Sequence, residues 1–359
     1  MEKEKVLVAM SGGVDSSVAT ILMKEKGYDP IGVTMKLHDT KIDMAREGTC
    51  CSLSDIEDAR SVANEIGIPY YVFNFKDRFK ECVIDKFIDC YRCGMTPNPC
   101  IDCNRFLKFK ELYRRAQELG CQKIVTGHYA RIRYNEETKR YELLKAIDES
   151  KDQSYVLYHL TQEQMAHTDF PLGENTKDQI RDMAEKYNFV NAYKKDSQDI
   201  CFIPDGDHKK FIEDNTGEKI GAGNFLDIDG NVIGTHQGYY RYTIGQRKGI
   251  QVKREGKNYV VEIRPETNEV VVGDNDDLFT DTLIADDFNW LSGQAPAKPI
   301  RVQGRTRYHQ ALTNATATVL EDGRVKVVFD EPQRAITKGQ SVVLYNGDVV
   351  LGGGRIIEK

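Results

Sequence analysis

The apolar run Lys5–Met10 (KVLVAM) leads without a spacer into Ser11-Gly12-Gly13-Val14-Asp15-Ser16-Ser17, and helical apolar spacing then runs over Val14–Lys26 and stops at Gly27. A buried strand that turns through two glycines into a helix is the opening unit of a parallel α/β sheet. The alternation continues. Pro30–Leu37 reads as a second strand, Asp55–Ile66 as a helix stopped by Gly67, and Tyr70–Phe75 as a third strand. Arg105–Leu119 reads as a helix ended by Gly120, Gln122–Thr126 as a strand and Thr176–Tyr187 as a helix. After about Pro204 helical periodicity fades. Short Val/Ile/Tyr-rich runs at Tyr259–Ile263, Glu269–Val272, Ala315–Leu320, Val325–Phe329 and Ser341–Tyr345 alternate with Gly, Asn and Asp turns, which predicts a small barrel or sandwich. The expected division is 1–204, 205–275 and 276–359, with the acidic stretch 274–287 as the junction of two β-rich units.

A chain of 359 residues suits two or three such domains. With 40% hydrophobic and 30% charged residues it reads as globular, and no apolar run approaches the ~18 residues of a membrane span. The first apolar run is short and follows two glutamates, which argues against a signal peptide and for a cytoplasmic protein. In a reducing compartment the nine cysteines become candidates for reactive or metal-bound thiols. Lys+Arg 50 against Asp+Glu 56 gives a net charge of −6, which speaks against nucleic acid as a partner. The charge is segregated, however. Residues 103–141 carry ten bases and four acids, 235–264 seven and two, and 265–289 eight acids and no base. Such a pattern hides a basic face inside an acidic protein, or simply describes solvated helix faces.

The two glycines of the loop let backbone amides approach a phosphate, the helix start adds partial positive charge, and the serines add hydroxyl donors. The loop is neither a Walker GxxxxGK[ST] nor a GxGxxG turn. SGGVDSS resembles the loop of the ATP pyrophosphatases, or PP-loop enzymes, which split ATP between the α and β phosphates. Within that group the chain resembles the tRNA-specific 2-thiouridylases over nearly its whole length. The shared runs include Cys51-Ser52, Gly67-Ile68-Pro69, Thr96-Pro97-Asn98-Pro99, Cys103-Asn104, Thr126-Gly127-His128-Tyr129-Ala130 and Lys151-Asp152-Gln153-Ser154-Tyr155. Asp55 with Asp58-Ala59-Arg60, Lys108-Phe109-Lys110, Asp196-Ser197, Ile200-Cys201-Phe202-Ile203, Tyr242–Gly249 (YTIGQRKG) and Gly352-Gly353-Gly354 complete the set. The resemblance implies an α/β N-terminal PP-loop domain with a parallel sheet, of the adenine nucleotide α-hydrolase-like type, then two smaller β-rich domains, the last a β-barrel.

It also implies a reaction, the exchange of the C2 oxygen of the wobble uridine of tRNA for sulfur. That oxygen leaves poorly, and adenylating it with ATP and Mg²⁺ supplies a leaving group. A cysteine persulfide is a fitting sulfur nucleophile, and a second thiol can release it. By resemblance, Cys201 carries the persulfide and Cys103 resolves it through a transient Cys103–Cys201 disulfide, with a cysteine desulfurase or sulfur-relay protein as donor. Asp196, Ser197 and Gln198 precede Cys201 in a polar stretch suited to a swinging loop. Ala9, Met10, Ser11, Gly12, Gly13, Val14, Asp15 and Ser16 would hold the phosphates, Asp15 would orient Mg²⁺ or simply serve the helix dipole, and Met35 and Gly127 would bound the nucleotide. Asn98, Pro99 and Cys100 would surround the target base. His128, Lys151, Asp152, Gln153, Arg307, Tyr308 and Gln340 would contact tRNA. Arg247 and Lys248 beside Tyr242 suit an RNA backbone, or a hairpin with solvated charges.

One position departs from the family. Better-known members carry an Asp, a candidate acid/base group, where this chain has Cys100. The string Cys90-x₂-Cys93-x₆-Cys100-x₂-Cys103 leaves three readings open: a redox persulfide site first, then a 4Fe–4S cluster on Cys100, Cys103 and Cys201, and last a four-cysteine zinc site. Cys82 and Cys121 read as packing residues, and Cys50 and Cys51 have no role assigned. Two competing functions are another adenylating PP-loop ligase, which leaves Cys201, KDQSY and the barrel unexplained, and a metal-bound RNA-binding module, which leaves the phosphate loop unexplained.

Overall fold

A computed structural model describes residues 3–38, 53–194, 200–203, 205–217, 219–252 and 254–359. The strands β1 (Lys5–Ala9), β2 (Asp29–Lys36), β3 (Tyr70–Asn74) and β4 (Lys123–Thr126) join the short β7 (Thr168–Asp169) in one sheet of order β3-β2-β1-β4-β7. Every pairing in it is parallel. Alternate residues of β1 serve opposite faces, as a pleated strand requires. Val6 and Val8 pack with Val14, Val18 and Met23 of α1 (Val14–Glu25) and with Ala59 and Val62 of α2 (Leu53–Ile66). Leu7 packs on the other face with Phe79 and Phe87, which come from the helical segment comprising α3 (Lys76–Phe79), a π-turn at Lys80–Ile84 and α4 (Asp85–Arg92). The chain then forms α5 (Pro99–Asp102), a π-helix over Cys103–Glu111 and α6 (Leu112–Glu118), with Leu107 and Leu112 in the same core. The sequence pattern predicts a single α-helix over 105–119, but the first half is wound in the wider π register. α7 (Gln162–Ala166) and α8 (Lys177–Lys186) each start with a Thr capping box.

Beyond the first domain, α9 (His208–Thr216) is a helix where the sequence reading expects helical content to fade. Its side-chain cap is Asp207 and its stop is Gly217 at φ 66°. The strands β8 (Gly223–Leu226), β9 (Val232–His236), β10 (Tyr259–Arg264) and β11 (Glu269–Gly273) form a second sheet of order β10-β11-β8-β9. The last unit is a closed antiparallel barrel. β12 (Phe279–Trp290), β13 (Ile300–Arg305), β14 (Thr313–Val319), β15 (Val325–Arg334), β16 (Ser341–Asn346) and β17 (Val349–Glu358) run in the order β12-β15-β14-β13-β16-β17, and β17 pairs back to β12. The expected junction at 274–287 is thus mostly the first barrel strand. Leu283 and Ala285 point into the barrel while Asp281 and Asp287 point out. The hairpin of β5 (Ala130–Asn135) and β6 (Arg140–Lys145), unassigned from sequence, adds to the barrel sheet where Leu144 pairs with Val349.

The barrel is also fastened to the first domain through the KDQSY segment. Asp152 is buried and accepts from the amides of Ala146 and Ser154, from Ser154 Oγ at 2.9 Å and from Arg305 Nη2 at 2.8 Å. Arg305, itself buried, also donates to the hydroxyl of Tyr345. Tyr155 donates to the Ser341 carbonyl at 2.8 Å, and Asn289 to the Tyr158 carbonyl at 2.7 Å. Replacing Arg305 with Met leaves the Asp152 carboxylate buried without its counter-charge. The expected loss is about 3–5 kcal/mol, read as a lower urea midpoint.

Candidate active site

The strand order reverses between β1 and β4, which lie side by side with Ala9 opposite Thr126. The crevice at their carboxyl ends is where open α/β sheets bind ligands. The glycine–serine loop fills its floor. Ser17 N is the first amide to bond back to the loop, at 3.3 Å from Gly13 O, so the amides before it begin the helix without intrahelical partners. The loop is held before any ligand arrives. Ser11 N donates to Ser16 Oγ, and Ser16 Oγ and Ser17 Oγ donate to Gly13 O at 3.0 and 3.1 Å. Gly12 has φ +75°, and a Cβ there would lie 2.3 Å from the Asp55 carbonyl oxygen, so α2 presses directly on the loop. From the other side Asn191 Nδ2 donates to Gly12 O at 3.0 Å, and Lys194 bridges Asp55 and Asp58 at 2.6 Å each.

Asp15 faces the same crevice. Its Oδ1 accepts from the Tyr129 hydroxyl at 2.8 Å and from the buried Lys177 ammonium at 2.7 Å. Gly127 closes the wall, since a Cβ there would come 2.9 Å from Ser16 N. Met10 and Met35 are buried at the ends of β1 and β2 and form the apolar side. Sequence reasoning did not single out Tyr129, Lys177, Asn191 or Lys194 as site residues. The last three come from a distant part of the chain with no motif of their own, and only folding brings them to the loop.

The second half of the site is built on α5. Asn98 caps it by accepting from Cys100 N at 3.2 Å, and Pro99 occupies the first helical position, where its missing N–H costs nothing. This puts Cys100, exposed, and Cys103, half-buried, one turn apart. The barrel reaches the same place. Gln340 Nε2 donates to Thr96 O at 2.8 Å, and the Tyr308 hydroxyl bonds Gln153 close enough to Cys100 for their charges to interact. Burial pushes the Tyr308 hydroxyl up to about 12. Gln153 Oε1 accepts from Tyr129 N, which ties this wall to the nucleotide crevice. Asn98, Pro99, Cys100, Gln153, Tyr308 and Gln340 are therefore gathered together, with Lys151 half-exposed at the start of the same segment. Asp152 and Arg307 point inward instead. Arg307 donates to the carbonyls of Ile244 and Ala335 and to Thr337 Oγ1, and burial, with Arg334 nearby, holds its pKa below the usual arginine value.

Cys201 is half-buried, and its neighbour Phe202 is wedged against Phe79, Phe87 and Phe211, so this segment packs on the same core as Cys103. Asp196, Ser197, Gln198, Cys50 and Cys51 lie outside the described residues. Among the described residues no group of three or more His, Cys, Asp or Glu side chains is placed to hold a metal, so the donor set for a cluster or a zinc ion is not assembled there. Burial pushes the thiols of Cys90 and Cys121 up to about 11 and raises that of Cys82, which leaves them protonated at neutral pH. A single carboxylate, Asp15, suits Mg²⁺, which takes most of its remaining ligands from phosphate and water.

His128 is buried, with Nδ1 2.6 Å from Thr126 Oγ1 and its ring against Phe109 and Phe170. Burial, then the Lys108 charge, holds it well below the usual imidazole range. His159 is pushed down to about 3 by burial and then by Arg105. Both folded values lie below the unfolded one near 6.5, so the unfolded chain takes up protons first and stability falls as pH drops through about 6.5. Urea unfolding between pH 7.5 and 5 should show this loss. His159→Gln should make the dependence shallower, by up to about 1.4 kcal/mol per pH unit.

Comparison with known proteins gives matches along the whole chain. Residues 4–205 match the family described as a tRNA methyl transferase HUP domain, 209–274 the PRC-barrel domain of the same name, and 280–356 an aminomethyltransferase beta-barrel domain. The tRNA-specific 2-thiouridylase MnmA of Clostridioides difficile is 51% identical over 356 residues, covering 99% of this chain and 98% of its own. The protein of the same name from Carboxydothermus hydrogenoformans is 50% identical with the same coverage, and one from Clostridium tetani is 52% identical, covering 99% of both chains. The domain descriptions speak of methyl transfer, but the full-length relatives at this identity are thiouridylases. A solved complex of a 4-thiouridine synthetase with RNA and ATP aligns at a TM-score of 0.34 and 16% identity, covering 60% of this chain and 50% of that one. Among the described residues no helix is long and apolar enough to cross a membrane.

Proposed function

This chain belongs to the tRNA-specific 2-thiouridylase family of tRNA sulfurtransferases, and we propose that it thiolates C2 of the wobble uridine, U34, through adenylation by ATP and a persulfide on Cys201. The observation that carries this reading is the meeting of two half-sites. A preformed phosphate cradle at the carboxyl ends of β1 and β4 adjoins the Asn98–Cys103 wall and its barrel partners Tyr308 and Gln340.

ATP lies with its phosphates on Ser11–Ser16 and its adenosine toward Met35. Asp15 is the residue that would hold Mg²⁺, which would supply neutralisation of phosphate charge. U34 is unstacked into the wall between Asn98–Cys100 and Tyr308, as single-stranded bases allow. O2 of the uracil attacks the α-phosphorus, and the bond to the bridging oxygen breaks with its electron pair on pyrophosphate. N3 releases its proton to solvent. The terminal sulfur of the Cys201 persulfide then attacks C2, and the C2–O2 bond breaks with its pair on AMP. The Cys103 thiolate attacks Sγ of Cys201. The S–S bond breaks toward the sulfur on C2, which keeps the electron pair while N3 takes a proton back. The Cys103–Cys201 disulfide left behind is reduced by an external thiol, and a cysteine desulfurase or sulfur-relay protein reloads Cys201.

Cys201→Ser and Cys103→Ser should each bind ATP and tRNA and still release pyrophosphate on addition of tRNA, yet leave U34 unthiolated. Mass analysis of the tRNA checks this, and full thiolation by either variant overturns the two-cysteine scheme. Iron-free protein supplied with a persulfide donor should be active. A requirement for reconstituted iron–sulfur would place the chemistry on a cluster instead.

Much of the basic stretch 103–141 is spent internally. Arg105 pairs with Asp287, Arg114 and Arg115 with Glu118, Arg131 with Asp348 and Arg133 with Glu142. Arg247 and Lys248 are exposed and have no acidic partner among the described residues. Charge reversal of both should weaken tRNA binding and lower the slope of log K against log salt by about 2, with ATP binding unchanged. Titrations at several salt concentrations test it.

A further inference from the structure

The π-helix over Cys103–Glu111 changes which residues share a face. In an α-helix, residues five apart sit about 140° apart around the axis. With i→i+5 hydrogen bonding they return to the same side. The π register is seen in Leu112 N, which donates to Leu107 O. It carries Lys108 round toward the side of Cys103, where the α-helix expected from the sequence would turn it away.

The Lys108 ammonium ends 3.5 Å from His128 Nε2, at the carboxyl end of β4. The next residue toward the strand is Gly127, which abuts the first turn of α1. The cation thus reaches from the helix that starts at Cys103 to the residue that follows Gly127 in the wall of the phosphate crevice. Lys108 is half-buried, and no carboxylate lies within ion-pair distance of it among the described residues. The side chain that faces its ammonium is the neutral His128 ring. His128 Nδ1 lies 2.6 Å from Thr126 Oγ1, and its Nε2 faces the ammonium. At 3.5 Å this contact is too long to be a strong hydrogen bond, so it aims the cation without neutralising it. An uncompensated charge held partly out of water is costly unless a ligand of opposite sign meets it.

We propose that Lys108 is a catalytic cation that binds the α-phosphoryl group of ATP in both halves of the reaction. The assignment rests on the adenylation reading above. In the first half, negative charge builds on the α-phosphoryl oxygens as pyrophosphate departs. In the second, the same phosphate leaves as AMP with the C2–O2 electron pair. A fixed ammonium serves both, and His128 acts as a positioning residue because a neutral ring can face the ammonium without repelling it.

The test compares wild type with Lys108→Met, Lys108→Gln, Lys108→Arg and Lys108→Ala. The readouts are thermal midpoint, equilibrium binding of ATP and of tRNA, and tRNA-dependent pyrophosphate release. Loss of a donor aimed at developing charge slows reactions about 10²–10³-fold. Met and Gln should both show that loss in pyrophosphate release, with ATP and tRNA binding within about threefold of wild type. Arg should recover most of the rate, and added ethylammonium should partly rescue Ala. If Gln works as well as Lys, the residue only hydrogen-bonds His128 and the proposal fails. It fails equally if Met is unimpaired, or if Met loses ATP affinity in proportion to rate. Should Met or Gln fold poorly, the decision passes to Arg and to ethylammonium with Ala, and absence of recovery in both overturns the proposal. A wild type that releases no pyrophosphate with tRNA would instead sink the adenylation reading.

Discussion

The buried pair of Asp152 and Arg305 is the contact on which the site depends. The crevice above β1 and β4 belongs to one domain and Gln340 to the barrel, so a wall made from both needs the two fixed to within a hydrogen-bond length. Asp152 receives donors from its own domain and one from the barrel, and Arg305 carries the tie on to Tyr345. A charge pair buried in this way adds little net stability over apolar packing, yet it is strongly directional, and removing one partner is costly. It fixes Gln153 next door, which in turn holds Tyr129 N and meets Tyr308. One segment therefore positions the nucleotide wall, the base wall and the barrel together.

The phosphate cradle follows a similar logic. Its amides must point into an open crevice without a ligand to order them, so the loop is held from behind. Gly12 is pressed by α2, its carbonyl is taken by Asn191, and Asp15 is held by Tyr129 and Lys177. Preorganised donors need not be rearranged as charge develops, which is what makes them effective in phosphoryl transfer. Asn191 and Lys194 also hold the chain that follows α8 against the phosphate loop.

The cysteines divide by environment. Cys82, Cys90 and Cys121 are kept protonated by burial, while Cys100 and Cys103 stand on a capped helix start at the edge of the crevice and Cys201 on a segment anchored by Phe202. A thiolate is the reactive form, so the more accessible Cys100, Cys103 and Cys201 are better placed to react than the three thiols that burial pushes up.

The sequence by itself determined the parallel α/β domain, the glycine–serine loop between β1 and α1, and the start of α5 that carries Cys100 and Cys103. Each is a local matter: β1 is a continuous apolar strand, the glycines permit the turn, and Asn98-Pro99 caps and starts α5. The β-rich C-terminal part was legible too, through period-two patterning. Tertiary structure alone decided the closure of the barrel, because β12 pairs with β17 across some sixty residues and its acidic outward face masks it as a linker. It alone decided that the 130–145 hairpin joins the barrel sheet, and that Asp152 and Arg307 turn inward to carbonyls and counter-charges. The π winding of 103–111 belongs here as well. Its apolar spacing reads as an α-helix, while the folded segment is wound in the π register with Leu107 and Phe109 in the core. Lys177, Asn191 and Lys194 have no spacing that marks them, because what brings them to the phosphate loop is contact with groups far away in the chain.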